Sequence, residues 1–363
     1  MSSTVFFTVA APLAIVWSTI SRPPLAWLRG KVANPPLPAD IDLSGRVAIV
    51  TGANAGIGNR TAFNLAKAGA TVIMACRSLE RGESARIKLE AEMRFVSSLA
   101  CIISFANPLC YRRRRLEVMK CDLSDLQSVR AFARDFKAKH GDQLDILVNN
   151  AGVGIVDGPR VTADGLDVNF GINFVGHFCL TTELMPLLLS SQAARVVCLS
   201  SVIHHIGSSG DWQSSIMGRK GATYADSKLA MVHFAKELNR RFAAAGSRAT
   251  AFAVNPGAVR SDIWRHIPKF VMPVWNFFMR VFFLTSKQGC YTSVRVAALP
   301  LEQLSGSDYY QPYWMPFDCP LPIELLGPFI GCVPARPTVC KDEPAASLAL
   351  WTACEAVIEA ARR

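Results

Sequence analysis

Charged residues are scarce in this sequence. They make up 18% of its 363 residues, whereas apolar residues make up 50%. Extensive disorder is therefore excluded, because disordered chains have too few apolar side chains to build a core. The length is enough for one large domain or for two small ones.

Two kinds of motif are also missing. No nucleic-acid-binding motif accompanies the net charge of +11 or the four consecutive arginines at residues 112–115. We therefore expect no nucleic-acid partner. The positive charge belongs either to an ordinary solvated surface or to a surface that attracts anionic lipid or the phosphates of a cofactor. The eleven cysteines have neither the regularity of a disulfide framework nor the paired spacing of a zinc site. They predict buried thiols in a reducing compartment and no bound metal.

The N-terminus has an apolar run with no positive charge ahead of it. Residues 4–20 are uncharged, three basic residues follow them, and residues 31–44 are a proline-rich linker. A cleaved secretory signal would carry its positive charge before the run, so we interpret residues 1–30 as a hydrophobic anchor. As a helix this run spans about 25 Å, slightly less than the hydrocarbon core of about 30 Å. Charge after the run predicts an endoplasmic reticulum-like membrane with the following domain in the cytosol. The alternative is a cleaved or organellar targeting peptide.

A glycine-rich turn connects a predicted strand to a predicted helix. Residues 51–58 read Thr-Gly-Ala-Asn-Ala-Gly-Ile-Gly, and they follow the apolar run at residues 47–50. In this context the first glycine suits a tight turn, the second allows backbone to approach a pyrophosphate, and the third lets helix and strand pack closely. The phosphates would lie at the positive end of the helix. The predicted cofactor-binding residues here are Gly52, Asn54, Ala55, Gly56, Ile57 and Gly58.

From residue 45 to 311, short β-branched runs alternate with helical stretches. This alternation predicts an α/β fold, a Rossmann-type doubly wound parallel sheet in three layers. A proline-rich tail and a C-terminal helix occupy residues 312–363, as a cover for the sheet edge or as a subunit contact. The apolar stretch at 95–110 is atypical. It is either an insertion that contacts the membrane or, as we favour, an artefact of gene prediction.

The ends of three predicted strands provide further candidates for cofactor binding. An acidic residue at the end of the second strand would bind the ribose hydroxyls, but Arg77 stands there and suits a 2′-phosphate. NADP(H) is therefore favoured over NAD(H). Asp122, followed by Leu123, ends the third strand, where a carboxylate can accept from the adenine amino group. The fourth strand ends in small residues and amides that leave room for the cofactor and tie neighbouring strands together, namely Asn149, Asn150, Ala151 and Gly152.

Further motifs complete a recognisable pattern. Asn173 lies in a long apolar helix predicted over residues 168–189, Ser201 follows the fifth strand, and Tyr224 and Lys228 share one face of a helix. Together with the glycine turn, the Asn149 segment and Asn255-Pro256-Gly257, these residues resemble the short-chain dehydrogenases/reductases. Residues 76–78, 173–178, 200–205 and 256–261 are similar to the retinol dehydrogenase-like branch. The resemblance covers roughly residues 45–310.

The resemblance implies an NADP(H)-dependent oxidoreductase that interconverts an apolar alcohol and its aldehyde or ketone. Tyr224 would be the general acid/base, with its pKa lowered by Lys228 and by the oxidised nicotinamide. Lys228 would also hold the nicotinamide ribose, Ser201 would donate to the substrate oxygen, and Asn173 would hold a water that relays protons. Additional cofactor contacts are expected from Pro256, Gly257 and Ser261. We interpret His177 as a core residue.

The expected partners are an apolar small molecule and a membrane. Residues 267–284 are rich in large apolar side chains and predict a substrate lid that lies on the membrane. A retinoid, a steroid or a long-chain carbonyl would suit it, and a homodimer is compatible with the sequence. The alternatives are a reductase of another lipidic or pigment-like substrate and a catalytically silent binding protein on the same fold. The presence of all four expected catalytic residues, Asn173, Ser201, Tyr224 and Lys228, argues against a catalytically silent protein. The atypical stretch at 95–110 leaves that alternative open.

Overall fold

The structure, a computed structural model, describes residues 41–104, 115–154, 160–208, 210–219, 223–260, 283–304, 306–312, 332–335, 337 and 343–362. The predicted anchor, Ser261 and all but the last two residues of the predicted lid therefore lie outside the described residues. Within the described ranges, no helix is long and apolar enough to cross a membrane.

An eight-stranded sheet forms the centre of the molecule, with strand order β3-β2-β1-β4-β5-β6-β7-β8. Strands β1 to β7 are parallel, and β8 pairs with β7 in the antiparallel direction. The strands are β1 (Val47–Thr51), β2 (Thr71–Cys76), β3 (Arg115–Lys120), β4 (Ile146–Asn149), β5 (Arg195–Leu199), β6 (Thr250–Val254), β7 (Tyr309–Pro312) and β8 (Cys332–Pro334). The predicted doubly wound α/β sheet is confirmed.

The helices form two layers, one on each face of the sheet. They are α1 (Gly56–Lys67), α2 (Leu79–Ser104), α3 (Leu126–His140), α4 (Val168–Phe170), α5 (Gly176–Glu183), α6 (Met185–Ser190), α7 (Trp212–Ile216), α8 (Thr223–Ala244), α9 (Ser286–Gly289), α10 (Tyr291–Ala298) and α11 (Glu343–Ala360). Alternate strand residues point to opposite faces, so β1 supplies Ile49 to the layer of α3, α5, α8 and α11, and Val50 to the layer of α1, α2 and α10. Continuous apolar strands are thus buried on both sides.

Two of the predicted helices differ from the structure. The single helix expected over 168–189 is divided by a π turn at Gly171–Val175 and by a break before α6, where Pro186 stands in the first turn. Proline lacks the amide hydrogen that a continuous helix would need there, but it fits a helix start. The sequence also predicts a helix over residues 78–93, and in the structure this helix, α2, continues to Ser104. The first part of the atypical 95–110 stretch is therefore helical.

The C-terminal tail contributes to the same sheet and layers. Strand β8 covers the edge of β7, which is one of the two roles considered for the tail. Helix α11 packs against α8, and its Leu350, Trp351, Cys354 and Ile358 belong to the core on that face.

Candidate active site

The candidate site lies at the carboxyl ends of the parallel strands. Strand β1 is flanked by β2 on one side and β4 on the other. The strands β2 and β3 therefore extend the sheet in one direction from β1, and the strands from β4 onward extend it in the other. In open α/β sheets, ligands bind in the crevice at such a switch point. All the predicted strand-end residues that the structure describes follow this edge.

The glycine turn between β1 and α1 has the geometry that a phosphate needs. Gly52 and Gly56 have φ angles of 66° and 58°, which other residues rarely adopt. A methyl group added to Gly58 would collide with the Asn150 amide nitrogen and lie 2.7 Å from the Gly52 carbonyl, whereas one added to Gly56 would meet no atom within 4 Å. The cap residue Ala55 makes no side-chain hydrogen bond to the first turn of α1. The backbone amide hydrogens in the first turn of α1 are thus available to an anion.

Strands β2 and β3 end beside this turn. Arg77 directly follows β2, and its side chain is exposed. Beyond β3, the Asp122 carboxylate accepts hydrogen bonds from the backbone and hydroxyl of Ser124 through Oδ1, at 3.0 and 2.6 Å. Leu123 is buried, and its carbonyl would lie 2.6 Å from a methyl group on Gly176. The cofactor-binding roles of these residues stay predictions.

The two amides after β4 join separate parts of the fold. Asn150 Nδ2 donates to the Thr51 carbonyl at 2.8 Å, which ties β4 to β1 as expected. Asn149 Nδ2 instead donates to the Thr181 hydroxyl on α5 at 2.9 Å. In the described part of the chain, the Oδ1 atom of Asn150 is buried without a hydrogen-bond partner. Such an acceptor, next to a turn with open amides, fits a bound nicotinamide dinucleotide.

Tyr224 lies in the first turn of α8, and its hydroxyl is hydrogen-bonded to the side chain of Ser201, which follows β5. The predicted lowering of its pKa includes the charge of the oxidised nicotinamide and stays a prediction. Burial raises the pKa of Tyr224 to about 12, and the bond to Ser201 lowers it only in part. Loss of hydration penalises the charged tyrosinate and is the larger effect.

Lys228 lies one turn further along α8 and is also buried. Its Nζ donates to the Leu199 carbonyl at 3.1 Å and lies 5.7 Å from the centre of the Tyr224 ring. Burial lowers the pKa of Lys228 to about 8. The Ser200 hydroxyl donates to the Lys228 carbonyl at 2.7 Å and fixes the helix against β5. A methyl group on Gly152 would be 3.3 Å from Lys228 Nζ, so glycine leaves space beside this nitrogen.

Asn173 lies in the π turn, and such turns are frequent at functional sites. Its side chain holds the backbone of Val153, accepting from the amide at 2.7 Å and donating to the carbonyl at 3.0 Å. It also donates to the Ser227 hydroxyl at 3.1 Å. Both hydrogens of the amide group are thus used by protein atoms, so a relay water would donate to Oδ1 or to the Asn173 backbone carbonyl.

The segment after β6 lies at the same sheet edge. The Asn255 side chain accepts from the Gly257 amide at 2.9 Å, which forms a tight turn around Pro256. Gly257 has a φ of 82°, and a methyl group on it would lie 2.9 Å from Leu284. The predicted contact by Ser261 lies outside the described residues.

Three polar residues of the site were not predicted. Thr51 closes β1 and contacts the loop after β4, Ser200 anchors α8, and Ser227 bridges Tyr224 and Asn173. The only signal for them in the sequence is their position, because each stands directly before a predicted site residue. Among the described residues, no group of histidine, cysteine and acidic side chains could hold a metal ion.

Comparison with known proteins agrees with this geometry. The family described as short chain dehydrogenase matches residues 46–104 and 106–271. The chain belongs to the short-chain dehydrogenase family. Its relatives place it in the retinol dehydrogenase-like branch of that family. Retinol dehydrogenase 12 of Homo sapiens is 41% identical over 270 residues, which cover 74% of this chain and 78% of that protein. Retinol dehydrogenase 11 of Mus musculus is 38% identical over 274 residues, covering 75% and 79%.

A further relative and a solved structure are also similar to this short-chain dehydrogenase. Polyprenol dehydrogenase of Mus musculus is 37% identical over 288 residues, covering 77% of this chain and 78% of that protein. A crystal structure of an uncharacterised protein from Mycobacterium Paratuberculosis superposes with a TM-score of 0.59 at 27% identity, over 88% of this chain and 96% of that one. The family membership supports an oxidoreductase that acts on CH–OH or C=O groups with a nicotinamide cofactor.

Proposed function

We propose that this short-chain dehydrogenase uses NADP(H) to interconvert an apolar alcohol, such as retinol, and the corresponding aldehyde or ketone. The observation that carries the proposal is the hydrogen bond between Tyr224 and Ser201 beside Lys228, at the sheet edge that holds the glycine turn. The retinol dehydrogenases among the relatives support the substrate class. The similarity to polyprenol dehydrogenase favours a long isoprenoid alcohol as the second candidate.

The site residues can move one proton at the substrate oxygen. The Tyr224 hydroxyl is protonated at neutral pH, as the pKa of any tyrosine near or above 10 requires, so it can protonate the oxygen of a carbonyl as that oxygen gains charge. Ser201 donates a second hydrogen bond to the same oxygen. The positive charge of Lys228 stabilises the tyrosinate that remains. Hydride transfer is the chemistry that a bound nicotinamide supplies.

The preference for NADP(H) is proposed from the end of β2. Arg77 is exposed there, and no acidic residue follows the strand before the start of α2. A guanidinium offers planar donors and a permanent charge to a 2′-phosphate, whereas a carboxylate would repel it.

Membrane attachment through residues 1–30 is also proposed, on the uncharged run at residues 4–20 and its flanking charge. An endoplasmic reticulum-like membrane with a cytosolic catalytic domain would follow from this orientation. The test is alkaline carbonate extraction of the full chain beside a chain without residues 1–30. Release of the full chain into the supernatant would contradict the proposal.

Turnover by the detergent-solubilised full chain tests the main proposal. NADPH absorbance should fall when all-trans-retinal is added, and a polyprenal is compared in parallel. Tyr224→Phe should lower kcat by about 100- to 10,000-fold and leave NADPH affinity within about twofold. Tyr291→Phe, on α10 across the sheet, is the matched control and should retain activity.

Each alternative has its own result. Failure to bind either nucleotide would leave a silent binding protein. Turnover of the polyprenal alone would retain the enzyme and replace the retinoid. Unchanged kcat in Tyr224→Phe would contradict the assignment of the general acid/base.

A further inference from the structure

His177 lies fully buried between the glycine turn and the π turn. Its Nδ1 is 3.0 Å from the Asn173 carbonyl oxygen, and its Nε2 is 2.8 Å from the Thr51 hydroxyl oxygen. A carbonyl only accepts, so Nδ1 carries the ring hydrogen. Nε2 is therefore the acceptor, and the Thr51 hydroxyl donates to it.

This assignment also satisfies the surroundings of Thr51. The hydroxyl oxygen accepts from the backbone amides of Asn150 and Ala151 at 2.9 and 3.0 Å. Its single hydrogen goes to His177, because the other acceptor within reach, the Val148 carbonyl, is further away at 3.3 Å. One unbroken chain of hydrogen bonds thus runs from the loop after β4, through the end of β1, to the carbonyl of Asn173.

The ring holds this arrangement over the physiological pH range. Burial, with a smaller effect from the charge of Lys228, lowers the pKa of His177 to about 3. The imidazole therefore stays neutral, with a donor at one nitrogen and an acceptor at the other. It carries no proton to the reaction, but it fixes the distance between two segments that belong to different parts of the site.

We propose that His177 is a positioning residue, which holds the Asn173 carbonyl in register with the cofactor-binding turn. The proposal rests on the proposed function, because it assigns the coupling between cofactor binding and proton transfer at the same site. The π turn makes such a tether useful, since its wider hydrogen bonding, with Gly176 donating to Gly171, leaves that stretch of backbone less constrained than a regular α-helix.

Two substitutions separate the two halves of the ring. In His177→Asn the side-chain amide can still donate to Asn173, but the acceptor for Thr51 is lost. In His177→Gln the amide oxygen can still accept from Thr51, but the donor to Asn173 is lost. The full chain is used for nucleotide fluorescence titration, for the ultraviolet titration of Tyr224 in the NADP⁺ complex, and for the pH profile of kcat with retinal.

We expect opposite effects in the two variants. His177→Asn should weaken NADPH binding roughly tenfold, the effect of leaving one buried hydroxyl without its partner, and leave both pH titrations unchanged. His177→Gln should bind NADPH within about twofold of the parent, but shift the Tyr224 titration and the kcat profile. Equal losses of thermal stability in both variants, with unchanged titrations and affinity, would show that the ring only fills space and would overturn the proposal.

Nucleotide binding and the Tyr224 titration do not require turnover. If the two variants differ as expected but no substrate is turned over, the proposed function alone is contradicted. If substrate is turned over but the two variants do not differ, only the role of His177 is contradicted. If either His177 variant does not fold, Thr51→Ser and Thr51→Val carry the test. Only the valine, which lacks the hydroxyl, should weaken NADPH binding.

Discussion

The ring of Trp351 meets the ring of Phe178 edge-on, with 4.8 Å between their centres. The guanidinium of Arg241 covers the Trp351 ring at 3.7 Å, and Trp212 donates to the Ala346 carbonyl at 2.9 Å. Helix α11, at the C-terminus, is therefore an integral part of the helical layer over α5 and α8.

Trp351→Ala should lower the free energy of unfolding by about 3–5 kcal/mol, because it removes a large buried ring and leaves a cavity. Urea denaturation followed by circular dichroism measures this change. Leu348→Ala is the control on the same helix, where the side chain is 52% exposed; it should change stability by less than about 0.5 kcal/mol. Equal effects of the two substitutions would mean that α11 is not docked.

Gly58→Ala should weaken NADPH binding at least about tenfold. The added methyl group would collide with Asn150 Nδ2 and move α1 away from the loop that shares the cofactor site. Gly210→Ala is the control, since the nearest atom to its methyl group would be 3.9 Å away. Isothermal titration calorimetry with NADPH measures the affinity of both variants. An unaltered affinity in Gly58→Ala would contradict the role of the close packing.

Arg77→Ala should raise the Kd for NADPH about tenfold or more and leave the Kd for NADH within about twofold, because only NADPH carries the 2′-phosphate. Arg81→Ala removes another exposed arginine, one turn further along, and should affect neither nucleotide by more than about twofold. Parallel loss of affinity for both nucleotides in Arg77→Ala would argue against a phosphate contact.

Alkaline pH should destabilise the protein through its buried thiols. Seven cysteines between Cys76 and Cys354 are free and buried, and burial raises the pKa of each, for example that of Cys179 from 9.0 to about 12. Above pH 9 the unfolded chain releases protons that the folded chain retains, so stability falls as pH rises. Lys228 acts in the opposite direction, because its pKa is lowered from 10.5 to about 8, but it is one group against seven.

Cys354→Ala tests this pH dependence. It removes one thiol whose pKa burial raises and should reduce the loss of stability by about 1.4 kcal/mol per pH unit. Urea denaturation at pH 8, 9 and 10 gives the slope for both proteins. An identical slope in the variant would show that Cys354 does not contribute.

The sheet and the position of the site were predictable because both depend on local patterns. Short apolar strands such as residues 47–51 bury both faces, and the carboxyl ends of parallel strands meet at one edge. The pKa of Tyr224 and the contacts of His177 were not predictable, since both depend on groups brought together from distant parts of the chain. The same holds for β8, a strand of three residues whose existence depends on the edge of β7.

The central strand pair has a consequence for how the protein reaches its native state. Asn150 and Thr51 are hydrogen-bonded neighbours although 99 positions separate them in the chain. The nucleotide pocket is thus complete only after a large loop has closed, a step with a considerable entropic cost. A nucleotide that binds only the finished pocket would act as a folding aid, adding about 2.7 kcal/mol of stability at a hundred times its Kd. Cells depleted of the nucleotide would therefore be expected to hold less of the intact protein.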